Sequence, residues 1–208
     1  MKKIISIIAI IAILGAILFM LTGCGENNED NGNDGSTMSD LGNGKINLND
    51  DSIYYAIVDG KKYTMDDSIE DVLERGGYTR NDLYKHDQLI DPGKRFDDDY
   101  IHKGEYPNSI TQFSVNVGNR TNKPIERKDC VVTRIKLHSH WFDKVPAADV
   151  PEISIVGGIT LGSTKEEVKA VFGPGEYDLG SEYGDNLRGF KFEYKDGLVT
   201  GIIITRTN

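Results

Sequence analysis

The sequence predicts an α+β fold in which two related units, each a short helix followed by an antiparallel hairpin, share one core and set their helices on one face of the sheet. Two stretches read as short amphipathic helices with polar, cap-capable starts: "GKKYTMDDSIEDVLERGGY" (60–78) and "GGITLGSTKEEVKAVFG" (157–173). Each is followed by an alternating strand and then by a β-branched run, "CVVTRIKL" (130–137) in one half and "LVTGIIIT" (198–205) in the other. Aligning those runs sets Val132, Thr133 and Ile135 against Val199, Thr200 and Ile202. Neither unit can bury its apolar surface alone, which is why a shared core is expected. Helix followed by hairpin is also a common arrangement, and chance similarity is the competing account.

The chain starts Met1-Lys2-Lys3, and from Ile4 to Met20 every residue is apolar or small, with Ser6 the only hydroxyl. A cationic start before an apolar run is the pattern of a secretory signal. The run is longer than the usual apolar region of about 7–15 residues and short of the roughly 20 that span a bilayer, so length leaves a cleaved signal and an uncleaved anchor helix both open. Leu21-Thr22-Gly23-Cys24 resembles the bacterial lipobox. That resemblance implies a signal peptide over 1–23, cleavage before Cys24, and a diacylglycerol thioether on its sulfur. Two or three acyl chains anchor stably where one is marginal. Under either account the rest of the chain lies outside the cytoplasm. The isoleucine- and lysine-rich signal is similar to those of low-GC Gram-positive lipoproteins, which implies attachment to the outer leaflet of the cell membrane.

Residues 24–50 are expected to form a lipidated, disordered acidic tether. From Gly25 to Ser36 nothing can bury surface, and the like charges extend the chain. "DNGNDG" lacks the ligand spacing and closing Glu of a calcium loop. The formal charge is −9 and becomes −11 once Lys2 and Lys3 leave with the signal. With no basic stripe, such a chain is a poor partner for nucleic acid and is repelled by anionic headgroups. Cys24 and Cys130 are the only cysteines. With Cys24 lipidated, no disulfide framework is possible, and Cys130, leading "CVV", reads as a small buried hydrophobe.

Residues 51–208 form the folded body, divided at 150 into a first unit with an insertion and a second unit (151–208). In the first helix Asp66, Asp67 or Ser68 can cap, Ile69, Val72 and Leu73 share one face, and Gly76-Gly77 stops it. The insertion 78–109 and the connection 174–189 read as loop-rich. "FDDDY" (96–100) reads as a solvated loop, because three adjacent carboxylates cannot face one point in regular structure. Phe113, Val115 and Val117 mark a strand, and 118–129 a long polar loop. In the second helix Ser163 or Thr164 caps, Glu166 and Glu167 favour the positive end, and Val168, Val171 and Phe172 make the face. Phe190, Phe192 and Tyr194 mark the next strand, and "KDG" (195–197) is a hairpin turn.

"GGITLGSTKEEVKAVFG" followed by "FKFEYKDGLVTGIII" resembles the unit of SmpA-type outer-membrane lipoproteins and of the β-lactamase inhibitory protein. It covers about 50 residues of the C-terminal half well and the N-terminal half loosely. The resemblance implies a helix packed on an antiparallel sheet, binding of other proteins, and no catalytic residues to carry over. The insertion 78–109 departs from the family and puts a shared partner in doubt.

No nucleophile elbow, phosphate loop, Cys-x-x-Cys or His-Glu-x-x-His occurs. "KLHSHWFDK" is the metal candidate: if the strand continues, His138 and His140 face the same way and offer two imidazoles to one ion. A third ligand would have to come from His86, His102, Asp143 or Asp97-Asp98-Asp99. The plainer account is a polar strand end with Trp141 and Phe142 packed under the sheet. Tyrosine is enriched where proteins touch, and Tyr84, Tyr100, Tyr106 and Tyr183, with Trp141, are the expected binding residues. No cofactor is expected. The function expected is non-catalytic protein binding or scaffolding at the cell envelope, with an unidentified envelope protein as partner. A metal-assisted envelope hydrolase centred on His138 and His140 is the alternative.

Overall fold

The structure, a computed structural model, describes residues 46–78, 87–105, 108–174 and 180–207, apart from the side chain of Asp98. Cys24, Tyr84, His86 and Tyr106 lie outside the described residues, as do the signal segment and residues 24–45.

Six antiparallel strands make the main sheet, in the order β4 (Arg95–Lys103), β5 (Ile110–Gly118), β7 (Val131–His138), β11 (Leu198–Arg206), β10 (Arg188–Lys195) and β9 (Gly180–Gly184). A three-stranded sheet pairs β2 (Lys61–Thr64), β1 (Tyr55–Val58) and β8 (Ile153–Ile155), and β3 (Leu89–Ile90) pairs with β6 (Ile125–Glu126). Among the described residues the two α-helices are α1 (Ile69–Gly76) and α2 (Lys165–Phe172). This is a mixed α+β fold built from antiparallel sheet, as the two-residue and helical periodicities predict.

The helix starts were legible locally. Ser68 caps α1 and Thr164 caps α2, each within a full capping box completed by Asp71 and Glu167. Gly77, in the left-handed conformation, ends α1. Ile69, Val72 and Leu73 of α1 are buried, as are Val168 and Phe172 of α2. Phe172 lies 5.0–5.1 Å, centroid to centroid, from Tyr183, Phe190 and Phe192. Tyr63, which leads into α1, and Tyr78, just beyond it, lie 5.1 and 5.7 Å from Phe113. Both helices therefore cover the same apolar sheet face, where Val115, Ile135, Leu137, Ile202 and Ile204 are also buried. Each such side chain contributes about 1.5–3 kcal/mol. Cys130 is buried among them, and burial pushes its thiol up to about 11.

Four expectations are corrected. The folded body begins before residue 51: Ile46 is buried, and the Leu48 carbonyl accepts from Tyr54 Oη at 2.7 Å and Arg188 Nε at 2.9 Å. Ile46 and Leu48 are apolar interruptions that the polar run around them masked. Second, the strands β1, β2 and β8 went unread, although Asp59-Gly60 between apolar runs is a hairpin signal; both residues take the left-handed conformation that the turn requires. Third, "FDDDY" is not a solvated loop but part of β4. A register shift between Phe96 and Asp99 turns Asp99 inward, where it accepts from the buried Arg127 at 2.5 Å. Fourth, Arg127 comes from a 3₁₀ turn in what reads as an open polar loop, 118–129.

Candidate functional site

The sheet face away from the helices carries the chemistry. β7 ends at His138, and Ser139–Phe142 form a 3₁₀ turn rather than continuing the strand. The two histidines thus do not project side by side from one strand as expected. The turn folds His140 back onto His138, whose Nδ1 meets the His140 backbone N–H at 3.2 Å and His140 Nδ1 at 2.5 Å. His138 Nε2 lies 3.1 Å from Glu193 Oε2.

Glu193 reaches His138 because of the register. His138, Gly201 and Glu193 occupy one cross-strand row on β7, β11 and β10. Gly201 has no side chain to block the crossing, and a Cβ there would come within 2.7 Å of Glu193 Oε2. A carboxylate on Nε2 fixes the proton there, leaving Nδ1 of His138 as the acceptor for His140. Burial holds the His138 imidazole below its usual pKa, assisted by His140 and opposed by Glu193 and Asp143.

The same turn carries Trp141, whose ring lies 5.5 Å from His140, 6.2 Å from His138 and 6.2 Å from Tyr100 on β4. Tyr100 is 40% exposed and Trp141 half-buried. Among the described residues, neither the Tyr100 hydroxyl nor the Trp141 indole N–H has a hydrogen-bond partner. Ser114, paired with Tyr100 across β4 and β5, and Gln112 leave Oγ and Oε1 buried without partners. Tyr100, Trp141, His138 and His140 therefore form a continuous amphipathic patch joined to Glu193. Glu193 was not singled out in the sequence, since only the 55-residue-distant pairing of β7 with β11 and β10 reveals it.

Tyr183 does not belong to this patch. It is 9% exposed, its ring packs on Phe172 and Phe192, and its hydroxyl donates to the Gly173 carbonyl at 3.0 Å. It faces the helices because β9 pairs Tyr183 with Phe190, a core residue of β10. Phe142 is buried as expected, and Trp141 packs against the core only in part, remaining half-buried.

The donors around His138 do not converge on one point, since His140 meets Nδ1 and Glu193 meets Nε2. Among the described residues no three His, Cys, Asp or Glu side chains are placed to hold a metal ion. Nor is any helix among them long and apolar enough to cross a membrane. No family model, curated protein or solved structure matches the chain.

Proposed function

We propose that the chain is a lipid-anchored cell-envelope protein, fixed at Cys24 to the outer face of the cell membrane of a Gram-positive bacterium, whose body displays a non-catalytic face for a protein partner. The observation that carries this reading is the Tyr100–Trp141–His140 patch: rings with apolar area, unpartnered polar tips and a rigid strand-end support. Such side chains supply contact area at low entropic cost and dominate interface energetics. The metal-assisted hydrolase alternative needs a third ligand at the histidine nitrogens, and Glu193 occupies the opposite side of His138.

The body is further proposed to be a duplicated unit, as the resemblance to SmpA-type lipoproteins implies for its C-terminal half. Matching contacts support it. Thr64 N–H donates to Asp67 Oδ2 at 2.7 Å, and Thr160 N–H to Ser163 Oγ at 3.1 Å. Val132 N–H donates to the Asp67 carbonyl, and Val199 N–H to that of Ser163, each at 2.8 Å. The caps themselves bridge equivalent strand starts, Ser68 to Val131 and Thr164 to Leu198.

Two readouts test the function. A photocrosslinking residue at position 141 of the full-length protein, in intact cells, should give one discrete adduct. The same residue at exposed Lys62 on β2, which is not part of the patch, should not. Cys24→Ala should abolish fatty-acid labelling and release the protein from the membrane. An indiscriminate ladder of membrane proteins from both positions would reject the binding face, and unchanged labelling would reject the anchor.

A further inference from the structure

We infer that a cavity at the end of the sheet opposite the histidines binds a phosphate group. The cavity, of about 260 Å³, is lined by Lys94 and Arg95 where β4 begins, Gly118 where β5 ends, Arg120 and Thr121 beyond it, and Thr133 of β7. Thr133 is the extra residue where β7 slips against β5 beside Asn116 and Val117, and such bulges re-aim side chains. Thr133 and His138 are five positions apart along β7, about 16 Å at strand rise, so the cavity is distinct from the aromatic patch.

In a chain of net charge −9, three cations converge here with little to neutralise them. Among the described residues the Lys94 and Arg95 side chains have no hydrogen bond or ion pair. Arg120 spends Nη2 on the backbone carbonyls of Val132 and Arg206, at 3.4 and 2.5 Å, and its Nη1 reaches Asp66 at 3.4 Å. Its Nε is buried without an acceptor, as is that of the neighbouring Arg206. Burial, reinforced by Arg206 and Arg95, holds the Arg120 guanidinium below its usual value. Asp66 is the one carboxylate acting on it among the described residues; it is 70% exposed at its side chain and also serves Arg206. A half-buried guanidinium with an unpartnered Nε, beside two cations without partners, favours an anion.

The donor set selects the chemistry. Two guanidinium groups and an ammonium suit a tetrahedral oxyanion that offers several acceptor oxygens and up to two charges. A planar monoanionic carboxylate leaves a cation unmatched. The Thr121 and Thr133 hydroxyls already donate to Asn119 Oδ1 and the Asn116 carbonyl, so the cations are the recognition elements. One water needs on the order of 10–15 Å³ of such space, so the cavity takes a phosphate with several attached atoms.

The phosphate could be free, esterified to a small solute, or carried by a lipid headgroup, and one experiment separates these. Full-length protein in neutral detergent is titrated calorimetrically at low salt with inorganic phosphate, glycerol 3-phosphate and short-chain phosphatidylglycerol in the same micelles. Saturable binding of either of the first two assigns a soluble phosphate source, and binding of the third alone assigns the headgroup. In either case Lys94→Gln/Arg95→Gln should weaken binding at least tenfold while leaving the thermal midpoint unchanged, because both side chains are exposed. Lys61→Gln/Lys62→Gln, exposed and outside the cavity lining, should leave binding unchanged. Absence of saturable binding to all three, or equal binding by the Lys94/Arg95 variant, overturns the site.

Discussion

Gly201 stands between His138 and Glu193 in one cross-strand row, and its missing side chain is what lets a carboxylate on β10 reach an imidazole on β7. The resulting tautomer leaves His138 Nδ1 accepting from His140, so a proton added there breaks the contact. With its folded-state pKa below the usual 6.5, His138 binds fewer protons folded than unfolded. Stability therefore rises with pH through the window just below 6.5 and is lost as pH falls through it. Half-buried His102 shifts the same way and adds to the slope. His138→Gln should flatten the fall in urea midpoint between pH 7 and pH 5.5, leaving the part due to His102; an unchanged slope would show that His138 is not the responsive group. The single residues legible from sequence were those whose partners lie within four positions, such as Ser68 with Asp71 and Thr164 with Glu167. Tyr183 was misread as a contact residue because its side depends on pairing with Phe190, and Asp99 because its partner Arg127 is 28 residues away.

The helices and the four inner strands of the main sheet were readable because their apolar periodicity is local and survives the single register shifts in the β5–β7 and β10–β11 pairings. β4 was not, because its register shifts break the alternation and its acids resemble a solvated turn. The three-residue β8 offers too short a pattern to stand out, and it is defined by pairing with β1 about a hundred residues earlier. The caps remain the most local determinants, and each does two jobs: Thr164 starts α2 and also bridges Leu198 at the start of β11. Thr164→Ala removes the acceptor for Glu167 N–H, and the cost is about 1 kcal/mol, the usual value for a lost Thr cap. Denaturant unfolding should show this as a lower midpoint with an unchanged slope. Thr164→Ser should restore most of it, and failure of that rescue would mean the packing of the Thr164 methyl, not the hydroxyl cap, carries the effect.

Nothing in the sheet separates residues 46–150 from 151–208 as independent folding units. β8 pairs with β1, β11 with β7, and Phe190 stacks at 5.1 Å on Tyr54 from the other half. Each half presents apolar strand faces that only the other covers, and pieces of that size bury too little surface to offset their conformational entropy. The connection between them runs through exposed Ala147 and Ala148, far enough from paired backbone to be cut without loss of a strand bond. A protease site placed there should yield a nicked protein that still elutes as one species and unfolds in one cooperative transition, since the β7–β11 ladder holds the pieces together. Its unfolding midpoint should depend on protein concentration, because dissociation now accompanies unfolding. Each piece isolated in urea and returned to buffer should lack near-ultraviolet circular dichroism, and mixing the two should restore it. A sigmoidal urea transition from either piece alone would show that its core is self-sufficient, and the shared core would have to be abandoned.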